Sequence, residues 1–177
     1  MVPHMKKHSD RGFTLIELLI VVAIISIIAA IAVPGLLRSR MTGNETSAIT
    51  SLKAMTVGQV QYSTTCGNGG YATSLPVLFA APGGVGEGYI SPDLGQSATP
   101  IKSGYNFALV PGAGAGAGPT DCNGTATSTA FYATATPMNF GTTGSRAFAT
   151  NQSNAVWYLA AAAAPTEPFS APAAVIQ

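Results

Sequence analysis

A chain of 177 residues is one ordinary domain with room for an appendage, and is short for a two-domain enzyme. Apolar residues make up 47% of it, yet charged residues are only 8%, against roughly 25% in ordinary soluble proteins. The formal net charge of +1 provides no field to attract nucleic acid or a strongly charged substrate.

The few charges are unevenly placed. Lys6, Lys7 and Arg11, offset by Asp10, precede a long apolar run, and everything after them is nearly neutral. The surface of the body must therefore be Ser, Thr, Asn, Gln, Gly and Ala, as in TATSTAFYATATP over 125–137. Such a surface suits an extracellular setting.

Phe13 to Val33 reads FTLIELLIVVAIISIIAAIAV, 21 residues with one charge, Glu17. At about 1.5 Å per residue the run is long enough for a ~30 Å hydrocarbon layer. Its Leu, Ile, Val and Phe side chains favour insertion by about 6 kcal/mol, against roughly 3 for one central acid. Lys6, Lys7 and Arg11 on one side face Arg38 and Arg40 on the other, so the orientation bias is slight. Ala30-Ile31-Ala32 also has the small-x-small form of a secretory cleavage site. On that alternative the run is a signal peptide and the product is a secreted soluble domain starting at Val33.

A basic stretch ending in Gly12, then Phe13, then TLIELLIVVAII with an acid at Glu17, resembles the leader and start of a type IV pilin or its close relative, the type II secretion pseudopilin. The resemblance implies removal of residues 1–12 by a prepilin peptidase cutting after Gly12, and N-methylation of Phe13. It sets the secretory reading second. Glycine at the cut leaves the peptide bond unobstructed and lets an extended leader leave a rigid helix. Glu17 is i+4 from Phe13, so its carboxylate is within reach of the Phe13 ammonium of its own chain or a neighbour, and the resemblance favours the neighbour. An acid at membrane depth is a functional candidate by default. Its alternative is a group resting at headgroup depth. Met5-Lys6-Lys7 also begins a short basic leader, so Met1 and Met5 are both candidate starts.

Pro34-Gly35 follows the run, and the lost donor and added flexibility predict a kink or hinge, not an end. The transmembrane or filament-core helix is then 13–35, and 36–62 is an amphipathic continuation with Ala48, Leu52 and Met55 at i, i+4 and i+7, flanked by Ile49 and Val60. Gly43 and Gly58 weaken it by about 1 kcal/mol each relative to Ala, so it needs tertiary packing. Residues 63–177 form a globular head. It begins with a packed loop over 66–104 that holds one short helix.

Tyr105, Phe107 and Leu109 alternate with Asn106, Ala108 and Val110 in a strand that Pro111 and the AGAGAG tract end. Phe131, Ala133 and Ala135 alternate similarly. Two shorter strands, Arg146 to Thr150 and Val156 to Leu159, flank a turn at Asn151-Gln152-Ser153-Asn154. Ala160 onward, with Pro165, Pro168 and Pro172, reads as an extended tail that wraps a neighbour or is disordered. The expected class is α+β: a long helix packed on an antiparallel sheet of about four strands, which matches the lollipop shape that the resemblance implies.

If the chain is exported, an oxidising compartment favours a Cys66–Cys122 disulfide. It would close a loop worth roughly 4 kcal/mol in chain entropy. Two buried free thiols are the alternative. Both histidines, His4 and His8, fall in the expected leader, so Ser/His, Cys/His and His-metal sites are excluded from the body. No calcium-loop spacing is present. The glycines over 112–118 lack a GK[ST] and a following helix, so they do not read as a phosphate loop.

These readings converge on a structural subunit, with no enzyme activity, metal or cofactor expected. The resemblance implies an inner-membrane precursor assembled into a cell-surface pilus, a helical homo-oligomer, by an assembly ATPase and a platform protein. Specific nucleic-acid binding is not expected, because residues 38–177 carry five cations and five anions. Motility, adhesion and DNA uptake are not separated by the sequence, nor is glycosylation at Asn44 or Asn123.

Overall fold

The computed structural model describes residues 12–176. The expected leader, with its two candidate starts and both histidines, lies outside the described residues save Gly12. The chain divides into two compact units, Met1–Arg38 and Ser39–Gln177.

In the first unit, Gly12, Phe13 and Thr14 precede a helix, α1 (Leu15–Thr65), that begins here and runs on into the second unit. Pro34 and Gly35 sit inside the helical span, so they do not end it. The Pro34 nitrogen donates nothing, yet the remaining ladder carries the helix through. Every residue of Leu15–Val33 is exposed, with Leu15 at 81% and Ile31 at 78%.

In the second unit, α1 presents Ala48, Leu52 and Met55 to the core, as the stripe predicts. The same face also buries Glu45, Ser51, Thr56, Gln59 and Tyr62. Threonines, poor helix formers, are accommodated by back-bonding: the hydroxyls of Thr46, Thr50, Thr56 and Thr65 each donate to the carbonyl four residues earlier. The helix extends to Thr65, three residues past the expected end at 62. It stops where the Cys66 and Gly67 amides both donate to the Tyr62 carbonyl and the backbone turns left-handed at Asn68 and Gly69.

The loop after Cys66 holds two short helices, α2 (Leu75–Phe79) and α3 (Pro92–Gly95), with a 3-10 turn at Pro82–Gly84 between them. One short helix was expected. Leu75, Leu78 and Leu94 anchor these pieces in the core.

The main sheet has six antiparallel strands: β1 (Ile101–Lys102), β2 (Tyr105–Pro111), β5 (Phe131–Pro137), β6 (Ala147–Asn151), β7 (Val156–Leu159) and β8 (Ala174–Val175), in the order β1-β2-β5-β6-β7-β8. Between β2 and β5 the chain forms a separate ribbon, β3 (Ala117–Thr120) with β4 (Ala126–Ser128). The chain is an α+β protein, with more strands than the four expected. Alternation revealed β2 and β5 because one face is buried and the other is not: Tyr105, Phe107 and Leu109 are buried, as are Phe131, Ala133 and Ala135. Strands β1 and β8 are two residues each, too short to show a period. Strand β3 lies in the glycine-rich stretch expected to be a break, and its closest approach needs Gly118, where a Cβ would meet the Thr127 hydroxyl. The β6–β7 turn is as expected, closed by the Asn154 amide on the Asn151 carbonyl.

The segment after β7, expected as a free or wrapping tail, lies on the sheet of its own chain. The Tyr132 hydroxyl donates to the Pro165 carbonyl, and the Ile176 amide donates to the Val156 carbonyl.

Candidate functional site

The N-terminal start of α1 is built by Thr14. Its backbone carbonyl accepts from the Leu18 amide at 3.3 Å, its hydroxyl oxygen accepts from the Glu17 amide at 3.3 Å, and the hydroxyl donates to Glu17 Oε2 at 3.3 Å. This is a helix-capping arrangement in which Thr14 and Glu17 hold the first turn together. The signal for it, Thr-x-x-Glu, is present in the sequence and was not read there. Phe13 is 81% exposed and nothing approaches within 4 Å of the position a Cβ would take on Gly12, so the Gly12-Phe13 bond is unobstructed by the described residues. In this uncut chain the Phe13 nitrogen is an amide. Glu17 therefore bonds to Thr14 rather than to an ammonium.

Beyond Glu17 the exposed run is satisfied internally. Its one other polar side chain, Ser26, donates its hydroxyl to the Val22 carbonyl at 2.7 Å. Backbone groups bonded within the helix, and a hydroxyl that needs no water, are what a hydrocarbon environment demands. Among the described residues α1 is the one helix long and apolar enough to cross a membrane.

Within the second unit, polar side chains of α1 tie the helix to distant parts of the head. Glu45 receives the Arg146 guanidinium at 2.8 Å (Nε) and 2.6 Å (Nη2) on Oε2, and the Ser145 amide and hydroxyl at 2.8 and 2.9 Å on Oε1. Burial pushes the Glu45 carboxyl up, but the Ser145 amide, the Arg146 guanidinium and the Ser145 hydroxyl outweigh it and hold the carboxyl below its usual range. The Arg146 cation lies over the rings of Phe148 and Tyr158, 5.5 and 5.2 Å from their centroids. Gln59 pins the loop through two bonds to Ala72, one to its carbonyl and one from its amide, both 2.9 Å. Tyr62 donates to Asp121 Oδ2 at 2.7 Å. Burial, with the Asp121 carboxylate as hydrogen-bond acceptor and charge, pushes the Tyr62 hydroxyl far above its ordinary range.

Cys66 and Cys122 form a disulfide, with Cα atoms 4.8 Å apart, and the Cys122 amide donates to the Cys66 carbonyl at 2.8 Å. Of the sequence-level alternatives, the free thiols are excluded. Among the described residues no group of three or more His, Cys, Asp or Glu is placed to hold a metal. Asn44 and Asn123 both have their amide nitrogens engaged, on the Thr143 and Ala81 carbonyls. Sequence reasoning missed Glu45 and the Tyr62–Asp121 pair, whose partners lie far away along the chain, and Gln59, whose partner Ala72 is 13 residues on in a loop without a period.

Residues 7–33 match the family described as the prokaryotic N-terminal methylation motif. The chain is 49% identical over 53 residues to a type IV major pilin protein, PilA, of Myxococcus xanthus, covering 30% of this chain and 24% of that protein. It is 61% identical over 36 residues to a type IV wide pilus major component, PilA4, of Thermus thermophilus, covering 20% of this chain and 28% of that one. The chain is similar over a short segment to type IV pilins and carries the N-terminal methylation motif. The match spans only about a quarter of the length of these curated relatives. No solved structure matches the chain. The matched methylation motif contains Gly12, Phe13, Thr14, Glu17 and the exposed apolar run.

Proposed function

We propose that this protein is a structural subunit of a type IV pilus, made as a membrane-inserted precursor and assembled after loss of residues 1–12. The observation that carries the reading is a pilin-like start, Gly12-Phe13 with Glu17, placed at the head of a helix whose apolar side chains over Leu15–Val33 are all exposed. A soluble monomer with such a surface would aggregate in water. In the bilayer the same stripe is solvated by acyl chains, and in a filament by the helices of neighbouring copies.

Cleavage after Gly12 by a prepilin peptidase converts the Phe13 amide into an ammonium and leaves it four residues from Glu17. The new cation competes with the Thr14 hydroxyl for the Glu17 carboxylate. Pairing with Glu17 of a neighbouring copy neutralises both groups as the helix leaves lipid, which offsets the cost of keeping an acid at that depth. Pro34-Gly35 is the hinge about which the helix adapts to packing. An assembly ATPase and a platform protein supply the work of extraction. The product is a homo-oligomeric filament at the cell surface, without enzymatic activity.

The test is a chromosomal Glu17→Ala variant. The reading expects the variant to enter the inner membrane in normal amount and surface filaments to fall at least tenfold, while the wild-type filament contains this chain as its main component. Normal filament yield from the variant removes the pairing role of Glu17. Intact surface pili in a strain lacking the gene, with secretion of enzymes lost, replaces the pilus by a secretion pseudopilus.

A further inference from the structure

The sheet face opposite α1 has a cover of its own. Phe148 points into the core, so its neighbours Ala147 and Ala149 point to the opposite face. Both alanines are nevertheless fully buried. Ala149 sits opposite Trp157 in the β6–β7 ladder. The Trp157 ring stacks on Phe169, centroids 5.3 Å apart and planes within 20°, and Phe169 also lies 6.2 Å from the Tyr132 ring.

Phe169 belongs to the segment 160–173, which is held at both ends, by β7 before it and by β8 and Ile176 after it. Between those ends the segment is fastened at three places. Tyr132 holds the Pro165 carbonyl. Glu167 accepts the Ala113 amide at 2.7 Å and the Asn151 side-chain amide at 2.6 Å. Phe169 completes the aromatic stack. Within 160–173 Pro165 alone is buried, and Pro165, Pro168 and Pro172 have no N–H to lend to a ladder. Few buried apolar contacts and few backbone bonds are the marks of a segment that opens locally.

We propose that residues 160–173 form a strap that lifts off an otherwise intact head, pivoting on β7 and β8, and so uncovers a neutral aromatic surface formed by Tyr132, Trp157 and the β6 alanines. Glu167 and Phe169 are the two fasteners that the segment supplies through its own side chains. The core face of the sheet, with Phe107, Phe131 and Phe148, takes no part in the movement, because every fastening is on the opposite face or in a loop.

Trp157 is the single tryptophan of the chain, so its emission reports the strap directly. The test uses the full-length chain in detergent micelles. In the wild type, the Ala113 amide, which Glu167 protects, is expected to exchange at least ~10-fold faster than the β2 and β5 amides of Phe107 and Ala133. In the double variant Glu167→Ala/Phe169→Ala, Trp157 emission is expected to shift to the red, acrylamide quenching to rise severalfold, and protease to cut within 160–173, with Phe107 and Ala133 exchange unchanged. Equal exchange at Ala113 and Phe107 in the wild type overturns the proposal. So does unaltered Trp157 emission in the variant, or loss of β2 and β5 protection together with the strap.

Discussion

Arg146 Nη2 lies 2.6 Å from Glu45 Oε2, across 101 positions of sequence, and the carboxylate is 6% exposed. The pair joins α1 to the entrance of β6, and the Ser145 amide and hydroxyl complete the carboxylate's hydrogen bonds. A buried ion pair of this kind is costly to break from one side, because the survivor stays desolvated. Arg146→Ala is expected to destabilise the head by about 3 kcal/mol in chemical denaturation, part of it from the lost contacts with Phe148 and Tyr158. A change below about 0.5 kcal/mol would show that the pair contributes nothing beyond a surface salt bridge.

The same carboxyl sets an acid limit. Its folded-state affinity for a proton is lower than its unfolded one, whose usual value is 4.5. The stabilisation is therefore complete above that value and is lost as pH falls through the lower folded value. Thermal midpoints of the full-length chain are expected to drop between about pH 5 and pH 3, and Glu45→Gln, already less stable at neutral pH, to show a smaller drop. Asp93, held down by its bond to Lys102, adds to this in the same direction, but half its side chain is exposed and the effect is small. Identical acid profiles for the wild type and Glu45→Gln would remove Glu45 from the account.

Two glycines of α1 separate propensity from packing. A Cβ on Gly58 would sit 2.8 Å from the Tyr89 carbonyl oxygen, a backbone atom, whereas nothing lies within 4 Å of one on Gly43. Helix propensity favours Ala at both by about 1 kcal/mol. Gly43→Ala is expected to stabilise by up to that amount, and Gly58→Ala to destabilise by about 1–2 kcal/mol once the overlap is included. Stabilisation by both substitutions, read from denaturation midpoints, would contradict the close approach of the 89–90 loop to α1.

The Cys66–Cys122 disulfide fastens the end of α1 to the turn at 121–125, where Asp121 also holds Tyr62. Replacing both cysteines by Ala is expected to cost about 2–4 kcal/mol. Reduction of the wild type should reach the same stability as the double variant. A reduced protein as stable as the oxidised one would mean that the Tyr62 and Gln59 bonds alone hold this end.

What the sequence made legible was whatever obeys a period or a local motif. The apolar run is legible from its length and composition, and the Ala48-Leu52-Met55 stripe and the alternations in β2 and β5 are legible because each arises from one buried face. The cysteine pair was legible as a preference only, since compartment and not spacing argued for it. Glu45 looked like one of several scattered carboxylates, because Ser145 and Arg146 meet it only once the sheet has formed. Gln59 and Tyr62 are hidden because loops with no period bring Ala72 and Asp121 to them. Gly58 read as a weak helix residue, where the approach of Tyr89 makes it a requirement. The Thr14–Glu17 cap is different: its Thr-x-x-Glu spacing is a local motif and so is legible in the sequence. The 160–173 segment is mostly Ala and Pro, with Phe169 its one large apolar side chain and no period, so nothing local distinguishes a strap fastened at Glu167 and Phe169 from a free tail.

The central claim is that the chain functions from Phe13 onward. Intact mass together with N-terminal sequencing of the protein sheared from the cell surface tests it most directly. The account predicts a start at N-methylated Phe13 and a mass two hydrogens short of the reduced chain. A start at Val33, or a surface protein that retains residues 1–12, would contradict it.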